Sequence, residues 1–397
     1  MATGTWAHDS SKFKLQPFRI DLGGEIPRLK SLLNNTRLPA KALYSDAGPQ
    51  KGIELDVLRD LKTEWSTTFD WEAQQAELNQ LAQFTAVIEG QTVHFVHEKS
   101  TDPDAIPLIL LHGWPGSFHE FLPIVKPLTQ VNEKNVSFNV VVPSLPGFVF
   151  SSAPPANWTF DDTARIFNAL MTDVLGYSVY ALHGTDWGGA VGYSMYSSFN
   201  TTVRAAHFSF LPFFPPSAEE LAENNITLSE IQKVTQEFYI EWRTTGMGYF
   251  IEQTTKPNDI GLALYDSPVG QLAWIGGKFK LWSDPRAGTP PSVLTNTAIL
   301  TSISLYFLTE SFSSSVWSYA QNPDGIKTVY SRAPTDAPLL FSQFPYDLGP
   351  WPEEYVAKIG NLVSYKLHDF GGHFAGLDNP PALIEDIRDI AMYFNIE

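Results

Sequence analysis

The stretch His183-Gly184-Thr185-Asp186-Trp187-Gly188-Gly189 has a spacing of residues that could carry out covalent chemistry. It lies between a predicted strand and a predicted helix, with glycines two positions before and two positions after Asp186. Glycines permit the sharp strand-to-helix turn that exposes the central side chain of such a sequence. An aspartate in a glycine-rich turn can also simply cap the next helix. The interpretation as a nucleophile therefore depends on partners elsewhere in the chain.

Two such partners follow in the chain order that nucleophile-elbow folds use. Asp347 comes after one predicted strand, and His373 lies in a glycine-rich loop after the next. An imidazole serves as a base when a carboxylate holds its other nitrogen. Two other acids compete for this role but do not lie just past the end of a strand; they are Asp336 and Asp369. We predict Asp186 as nucleophile, Asp347 as orienting acid and His373 as base.

An aspartate at the centre of the turn changes the class of reaction. A carboxylate is suited to attack a saturated carbon that carries a leaving group, such as an epoxide oxygen or a halide, and the resulting ester is opened by water. His373, neutral and held by Asp347, would activate that water. The segment His112-Gly113-Trp114-Pro115-Gly116 follows the first core strand, where an oxyanion hole is expected. We predict the main-chain N–H groups of Trp114 and Trp187 as its donors.

The first step separates epoxides from halides. A halide leaves as a stable anion, whereas an opening epoxide becomes a basic alkoxide that requires a proton donor. Tyrosine phenols, with an ordinary pKa of about 10, suit that task. The predicted helical insertion contains five candidates: Tyr239, Tyr249, Tyr265, Tyr306 and Tyr319.

Alternating strands and helices position these residues. Continuous apolar runs predict buried strands at residues 107–111, 138–142, 179–182, 203–210, 338–344 and 361–367. Helical patterns lie between or after them at residues 118–128, 163–175, 190–199 and 381–394. This alternation predicts the α/β class, with a mostly parallel sheet covered by helices on both faces. The carboxyl ends of such strands are where open sheets bind ligands.

The chain divides into four predicted parts: an N-terminal wrapping segment (residues 1–102), a first core part (103–213), a helical lid (214–325) and a second core part (326–397). In the wrapping segment, apolar spacing predicts a helix around residues 57–65, and Asp70 is expected to cap a helix that runs to Leu81. Residues 84–88 and 93–96 should form a hairpin across the turn Glu89-Gly90.

The amino-acid composition and the net charge limit the classes of molecule that the protein can bind. The 397 residues include 26 Lys and Arg against 43 Asp and Glu, for a formal net charge of −17, and no Cys. This charge repels nucleic acids and anionic lipid surfaces. The N-terminus shows no signal-peptide pattern, which favours a soluble cytoplasmic protein without a membrane span. No spacing of histidines indicates a metal site and no phosphate-binding motif occurs, so we expect neither a metal nor a cofactor.

Several motifs, in one order along nearly the whole chain, resemble the epoxide hydrolases of the microsomal type, including soluble fungal members. The motifs are His112-Gly113-Trp114-Pro115-Gly116-Ser117, Gly184-Thr185-Asp186-Trp187-Gly188, Gly248-Tyr249-Phe250-Ile251, Phe341-Ser342-Gln343-Phe344-Pro345-Tyr346-Asp347 and Gly371-Gly372-His373-Phe374-Ala375. The resemblance implies an α/β-hydrolase fold and two lid tyrosines that donate hydrogen bonds to the epoxide oxygen. The first maps onto Tyr249. The second maps onto Tyr319, with Tyr306 as a less similar substitute.

Two departures accompany the resemblance. Membrane-bound relatives carry an apolar N-terminal anchor, and because the N-terminal residues here show no such pattern we expect no membrane residence. The acid of those relatives is a glutamate where Asp347 stands here, as in fungal relatives. The role of the acid is expected to survive the shorter side chain. A homodimer that pairs through the lid is compatible with the resemblance, although the residues themselves do not specify an oligomeric state.

Three functions remain to be distinguished. The first is a cofactor-independent epoxide hydrolase that acts on apolar or aromatic epoxides, since aromatic residues are frequent in the lid. The second is a haloalkane dehalogenase, which would use the same aspartate and histidine but would not need Tyr249. The third is a non-catalytic ligand receptor on the same scaffold, which would tolerate the loss of triad members.

Overall fold

A mostly parallel sheet runs through the computed structural model, which describes residues 12–44 and 48–394. Its nine strands are β1 (Gln16–Phe18), β2 (Gln83–Ile88), β3 (Gln91–Glu98), β4 (Ile106–Leu111), β5 (Phe138–Pro143), β6 (Tyr180–Gly184), β7 (Val203–Phe208), β8 (Pro338–Gln343) and β9 (Asn361–Leu367). The prediction that no signal peptide is present rests partly on residues 1–11, which lie outside the described ranges.

The spatial order of the strands is β1-β2-β3-β5-β4-β6-β7-β8-β9. The six strands from β5 to β9 in this order pair in parallel, and β1, β2 and β3 extend the sheet as antiparallel strands. The prediction of a mostly parallel sheet is therefore confirmed. Parallel pairing brings the carboxyl ends of β4, β6 and β8 to one edge, and the loops that follow them carry Trp114, Asp186 and Asp347.

Helices of the core pack in pairs, α4 (Leu122–Thr129) against α17 (Pro380–Arg388) and α5 (Phe160–Ala169) against α6 (Asp186–Ser198). Near the C-terminus the core also contains α15 (Glu353–Val356) and α16 (Ala375–Asp378). The helix predicted to begin at residue 190 begins at Asp186, because a left-handed backbone at that residue turns the strand directly into the helix. The strand predicted to end at residue 210 ends at Phe208.

The segment before the core contains α1 (Ile26–Asn35), α2 (Leu55–Thr67) and α3 (Trp71–Leu78). The Asp70 side chain accepts a hydrogen bond from the main-chain N–H of Ala73, so the predicted cap is confirmed, although the helix ends at Leu78 rather than Leu81. The predicted hairpin is also confirmed as β2 and β3. Both turn residues take the left-handed backbone that a tight hairpin turn requires, with φ of 50° at Glu89 and 84° at Gly90.

Eight helices separate β7 from β8, where the lid is predicted. They are α7 (Ala218–Glu223), α8 (Glu230–Glu241), α9 (Gly248–Thr255), α10 (Pro257–Leu264), α11 (Pro268–Gln271), α12 (Gly277–Leu281), α13 (Asn296–Leu308) and α14 (Phe312–Gln321). The buried indole N–H of Trp65 donates to Ser304 Oγ at 3.0 Å, which ties α2 to α13. No helix within the described ranges is long and apolar enough to cross a membrane.

Burial of histidines should make the folded state sensitive to acid. Six histidines have a pKa lowered by burial, to about 3 or about 4 for five of them: His94, His97, His112, His119, His183 and His207. In the unfolded chain they regain a pKa near 6.5, so unfolding takes up protons below that pH. Each should cost about 1.4 kcal/mol of stability per pH unit between about 6.5 and its folded value. Urea unfolding should show a lower free energy of unfolding at pH 5 than at pH 7 by several kcal/mol, and a flat profile over this interval would contradict the prediction.

Candidate active site

Asp186 occupies the turn between β6 and α6. Its φ is 48°, the left-handed region that non-glycine residues rarely adopt. Close approach to β4 fixes this turn, because a Cβ on Gly188 would lie 2.0 Å from the carbonyl oxygen of Leu111. A side chain at residue 188 could not be accommodated without moving the strand. The predicted sharp turn is therefore present, with the Asp186 side chain at its apex.

The loop after β4 supplies a main-chain donor to this carboxylate. The Trp114 N–H donates to Asp186 Oδ1 at 2.7 Å. A Cβ on Gly113 would lie 2.0 Å from the same oxygen, so glycine is required for the approach. His112 holds the loop: its Nδ1 lies 3.0 Å from the Gly113 carbonyl oxygen, and its Nε2 accepts from the Leu145 N–H. Burial lowers the pKa of His112 to about 4, so the ring is a neutral structural link.

The second predicted donor, the Trp187 N–H, lies in the first turn of α6. N–H groups in a first helical turn have no acceptor within the helix and carry the positive end of the helix dipole. The Trp187 side chain is buried between Phe160 and Tyr319, at ring distances of 4.9 and 4.8 Å. Trp187 therefore has a main-chain N–H at the start of a helix, where it can donate to a ligand, and a packed indole ring beside Asp186.

His373 lies between two carboxylates. Its Nδ1 is 2.7 Å from Asp347 Oδ1, and its Nε2 is 3.3 Å from Asp186 Oδ2. The Leu348 N–H also donates to Asp347 Oδ1 at 2.7 Å, which fixes the acid. Both the imidazole and Asp347 are almost fully buried. The two competing acids, Asp336 and Asp369, are exposed, and the structure places Asp347 against the imidazole instead.

Electrostatics favour the imidazolium in the free protein. Burial disfavours the charged ring, but the charge of Asp347 and hydrogen bonds to Asp186 and Asp347 outweigh burial and raise the pKa of His373 to about 10. The predicted neutral His373 belongs to the attack of water on an ester of Asp186, and it stays a prediction. Part of the raised pKa comes from Asp186 itself, so any reaction that removes the charge of Asp186 would lower the pKa of His373.

Two predicted lid tyrosines face this site. Tyr249 on α9 stacks on the Trp114 ring at 5.3 Å, and Tyr319 on α14 contacts the Trp187 ring at 4.8 Å. The Tyr249 and Tyr319 rings are 6.0 Å apart. The pKa of Tyr249 is raised mainly by burial and further by the charge of Asp186. The pKa of Tyr319 is raised mainly by burial and further by the nearby Tyr249 and Asp186. Both therefore remain protonated and able to donate.

The remaining lid tyrosines are placed differently. The Tyr306 hydroxyl donates to the Gly116 carbonyl oxygen at 2.6 Å, so it supports the loop after β4. Tyr265 is exposed, and its hydroxyl lies 2.6 Å from Glu310. Tyr239 is half-buried and stacks on Trp242. The geometry thus brings Tyr249 and Tyr319 together and leaves the other three engaged elsewhere.

A cavity of about 1100 Å³ opens beside Tyr249. Its lining is largely apolar and includes Phe238, Ile260, Leu281 and Trp282. The Trp282 ring in the cavity wall also lies 5.5 Å from the His373 ring, so the cavity and the triad share this tryptophan as a neighbour. Its size suits a small organic molecule with an apolar body.

Two charged residues near the site were not identified from the sequence. Glu120 is buried, with one oxygen unpartnered, and burial raises its pKa to about 8. Lys278 lies in the wall of the cavity. A signal existed for the lysine, since it is a charged residue within the apolar and aromatic stretch from Trp274 to Trp282. Glu120 follows the glycine-rich loop by four residues and had no distinguishing pattern.

Two protein-family models match the chain. One, described as epoxide hydrolase N terminus, matches residues 15–121, and the other, described as alpha/beta hydrolase fold, matches residues 106–252. Together they cover residues 15–252, which include the strands from β1 to β7 and the turn that carries Asp186.

Similar proteins extend over nearly the full chain. A solved epoxide hydrolase structure from Aspergillus niger is 35% identical, with a TM-score of 0.82 and coverage of 96% of each chain. The juvenile hormone epoxide hydrolase of Bombyx mori is 26% identical, with a TM-score of 0.83 and coverage of 96% of this chain and 94% of that one. Epoxide hydrolase 1 of Sus scrofa is 32% identical over 403 residues, which cover 94% of this chain and 88% of the relative.

Proposed function

Because this chain belongs to the epoxide hydrolase family and has the α/β-hydrolase fold, we propose that it hydrolyses epoxides to vicinal diols through an alkyl ester on Asp186. One observation carries the proposal: the Asp186 carboxylate lies 3.3 Å from His373, and Tyr249 and Tyr319 pack against the rings of Trp114 and Trp187, the two residues next to that carboxylate. This arrangement provides a nucleophile, a base and proton donors around one small space.

The first step forms the ester. Asp186 Oδ1 accepts from the Trp114 N–H, so Oδ2 is the attacking oxygen. It displaces the epoxide oxygen from a ring carbon, and the electron pair of the broken C–O bond moves to that oxygen. Tyr249 and Tyr319 donate hydrogen bonds to the oxygen, and a proton passes to it from the phenols. The product is a hydroxyalkyl ester of Asp186.

The second step hydrolyses the ester and regenerates the free enzyme. Ester formation removes the charge of Asp186, so the pKa of His373 falls. The imidazolium gives up its proton, which restores the phenol that became a phenolate in the first step, and the neutral imidazole becomes available as a base. His373, held by Asp347, takes a proton from a water molecule that attacks the ester carbonyl carbon. The N–H groups of Trp114 and Trp187 stabilise the oxyanion. Collapse of the intermediate breaks the bond between the carbonyl carbon and the alkoxy oxygen. The remaining proton of the water passes to that oxygen to complete the diol, the oxygen of the water stays in the Asp186 carboxylate, and His373 is again protonated.

The cavity and the phenols indicate the substrate. A cavity of about 1100 Å³ with a largely apolar lining fits an aryl-bearing or similarly apolar epoxide. A halide would leave without a proton donor, so the two buried phenols favour an epoxide over a haloalkane. The complete set of nucleophile, acid, base and donors also favours an enzyme over a ligand receptor.

Replacement of Tyr249 by phenylalanine tests the assignment of the leaving group. The wild-type enzyme should open styrene oxide and leave a bromoalkane of similar size unchanged. Tyr249→Phe should lower the rate of ester formation from styrene oxide by about 10²-fold, the range for loss of a general acid. Tyr265→Phe, which removes an exposed hydroxyl of the same lid, is the matched control and should have little effect. Release of bromide by the wild type, or an unchanged rate in Tyr249→Phe, would favour a dehalogenase.

A further inference from the structure

Lys278 on α12 brings an amine into the interior beside the candidate site. The residue is half-buried and lines the cavity, and burial lowers the pKa of its amine to about 7. The Nζ donates to the Trp274 carbonyl oxygen, one turn earlier in the chain, at 2.6 Å. None of the charged pairs among the described residues includes this amine. A cation in such a place acts on its surroundings with little screening by water.

Three aromatic rings surround the amine. The Nζ lies over the ring of Trp274 at 4.6 Å, over that of Tyr249 at 4.8 Å and over that of Trp114 at 5.4 Å from the centroids. All three distances are within the range of cation–π attraction. Since Trp114 and Tyr249 also stack on each other, the cation contacts the pair that joins the oxyanion loop to the lid phenol.

Contacts between helices hold this arrangement. The indole N–H of Trp274 donates to Gln253 Oε1 at 2.9 Å, and Gln253 lies on α9, one turn after Tyr249. Lys278 and Tyr249 are thus linked through Trp274 and Gln253 as well as by direct contact. The position of the amine over the Tyr249 ring is therefore determined by packing on both sides.

We propose that Lys278 is a positioning residue whose ammonium strengthens Tyr249 as the proton donor to the epoxide oxygen. This inference rests on the proposed function. When the phenol gives up its proton, negative charge spreads from its oxygen into the ring, and a cation over the ring stabilises that charge. Burial and the charge of Asp186 act in the opposite direction on Tyr249. The ammonium offsets them at the moment when the phenol must donate.

The experiment measures the rate of ester formation in a single turnover of styrene oxide at pH 6, where the amine is mostly charged. Styrene oxide has no polar group besides the oxirane, so binding of a substrate acceptor by Lys278 does not contribute. Lys278→Met should lower the rate about tenfold with little change in substrate affinity, equivalent to about 1.4 kcal/mol in the barrier. Lys278→Arg, which keeps the charge, should restore most of the rate. If Lys278→Met does not fold, Lys278→Gln takes its place as the uncharged variant, with the same expected loss.

A second pair of variants separates tuning of the phenol from a general packing role. In the Tyr249→Phe background the loss caused by Lys278→Met should shrink to less than about twofold, because the ring no longer gives up a proton. An undiminished loss in that background, or no loss in the wild-type background, would overturn the inference. If the wild type itself forms no ester on Asp186, the proposed function fails instead.

Discussion

His373→Gln should form the alkyl ester on Asp186 and fail to release it. The first step needs the carboxylate and the phenols, and none of these depends on His373 for its position: Asp186 is fixed by the Trp114 N–H and the turn at its own backbone. The second step needs a base, and glutamine cannot accept a proton from water. We expect turnover to fall by at least about 10³-fold while the first equivalent of substrate is still consumed.

Mass spectrometry of the intact variant provides the measurement. After exposure to styrene oxide, the protein should gain the mass of one substrate molecule, and a digest should locate the addition on the peptide that contains Asp186. His368→Gln is the matched control, because His368 is bonded to Asp386 and has no place in the proposed steps. The control should turn over and accumulate nothing. A variant of His373 that neither turns over nor accumulates an adduct would count against the two-step scheme.

Asp186→Asn should remove activity almost completely. The amide oxygen can keep the hydrogen bond from the Trp114 N–H, and asparagine tolerates the left-handed backbone at this residue, so the turn should survive. The nucleophilic charge is lost, and we expect turnover to fall by at least about 10⁴-fold, as for other nucleophiles in covalent mechanisms. Asp336→Asn, at an exposed acid that also follows the lid, should retain full activity.

The Asp186→Asn variant has a second readout that does not depend on turnover. The charge of Asp186 is one of the contributions that raise the pKa of His373, so titration of the imidazole by NMR should give a lower pKa in Asp186→Asn than in the wild type. An unchanged pKa would mean that Asp186 and His373 do not interact as the structure places them. Activity within about 10²-fold of the wild type would contradict the role of the carboxylate as nucleophile.

The order and spacing of the motifs predicted much of the site. Glycine at residues 184 and 188 marked the elbow because neither position has room for a side chain: a Cβ on Gly184 would lie 2.6 Å from the Gly188 carbonyl oxygen, and one on Gly188 would meet Leu111 of β4. The glycine spacing is local and therefore visible in the sequence. Apolar runs predicted the parallel strands because both faces are buried. The contact between Asp347 and His373 followed from chain order, since their strands, β8 and β9, are neighbours in the sheet.

Other features depend on contacts between distant segments. The choice between Tyr306 and Tyr319 required knowing that the Tyr306 hydroxyl reaches the Gly116 carbonyl, 190 residues away. The charged state of His373 arises from two carboxylates that folding brings together. Lys278 acquires its surroundings from α9, the segment just before α12 and the loop after β4. The division into four parts, a cytoplasmic location and pairing of two copies stay predictions from the sequence.

Single turnover in heavy-oxygen water tests the covalent mechanism most directly. With enzyme in excess over styrene oxide, the diol should carry no heavy oxygen, because its new oxygen comes from the Asp186 carboxylate. The label should instead appear in the peptide that contains Asp186. Heavy oxygen in the diol of the first turnover, with none in that peptide, would show that water attacks the epoxide itself and would contradict the proposed ester.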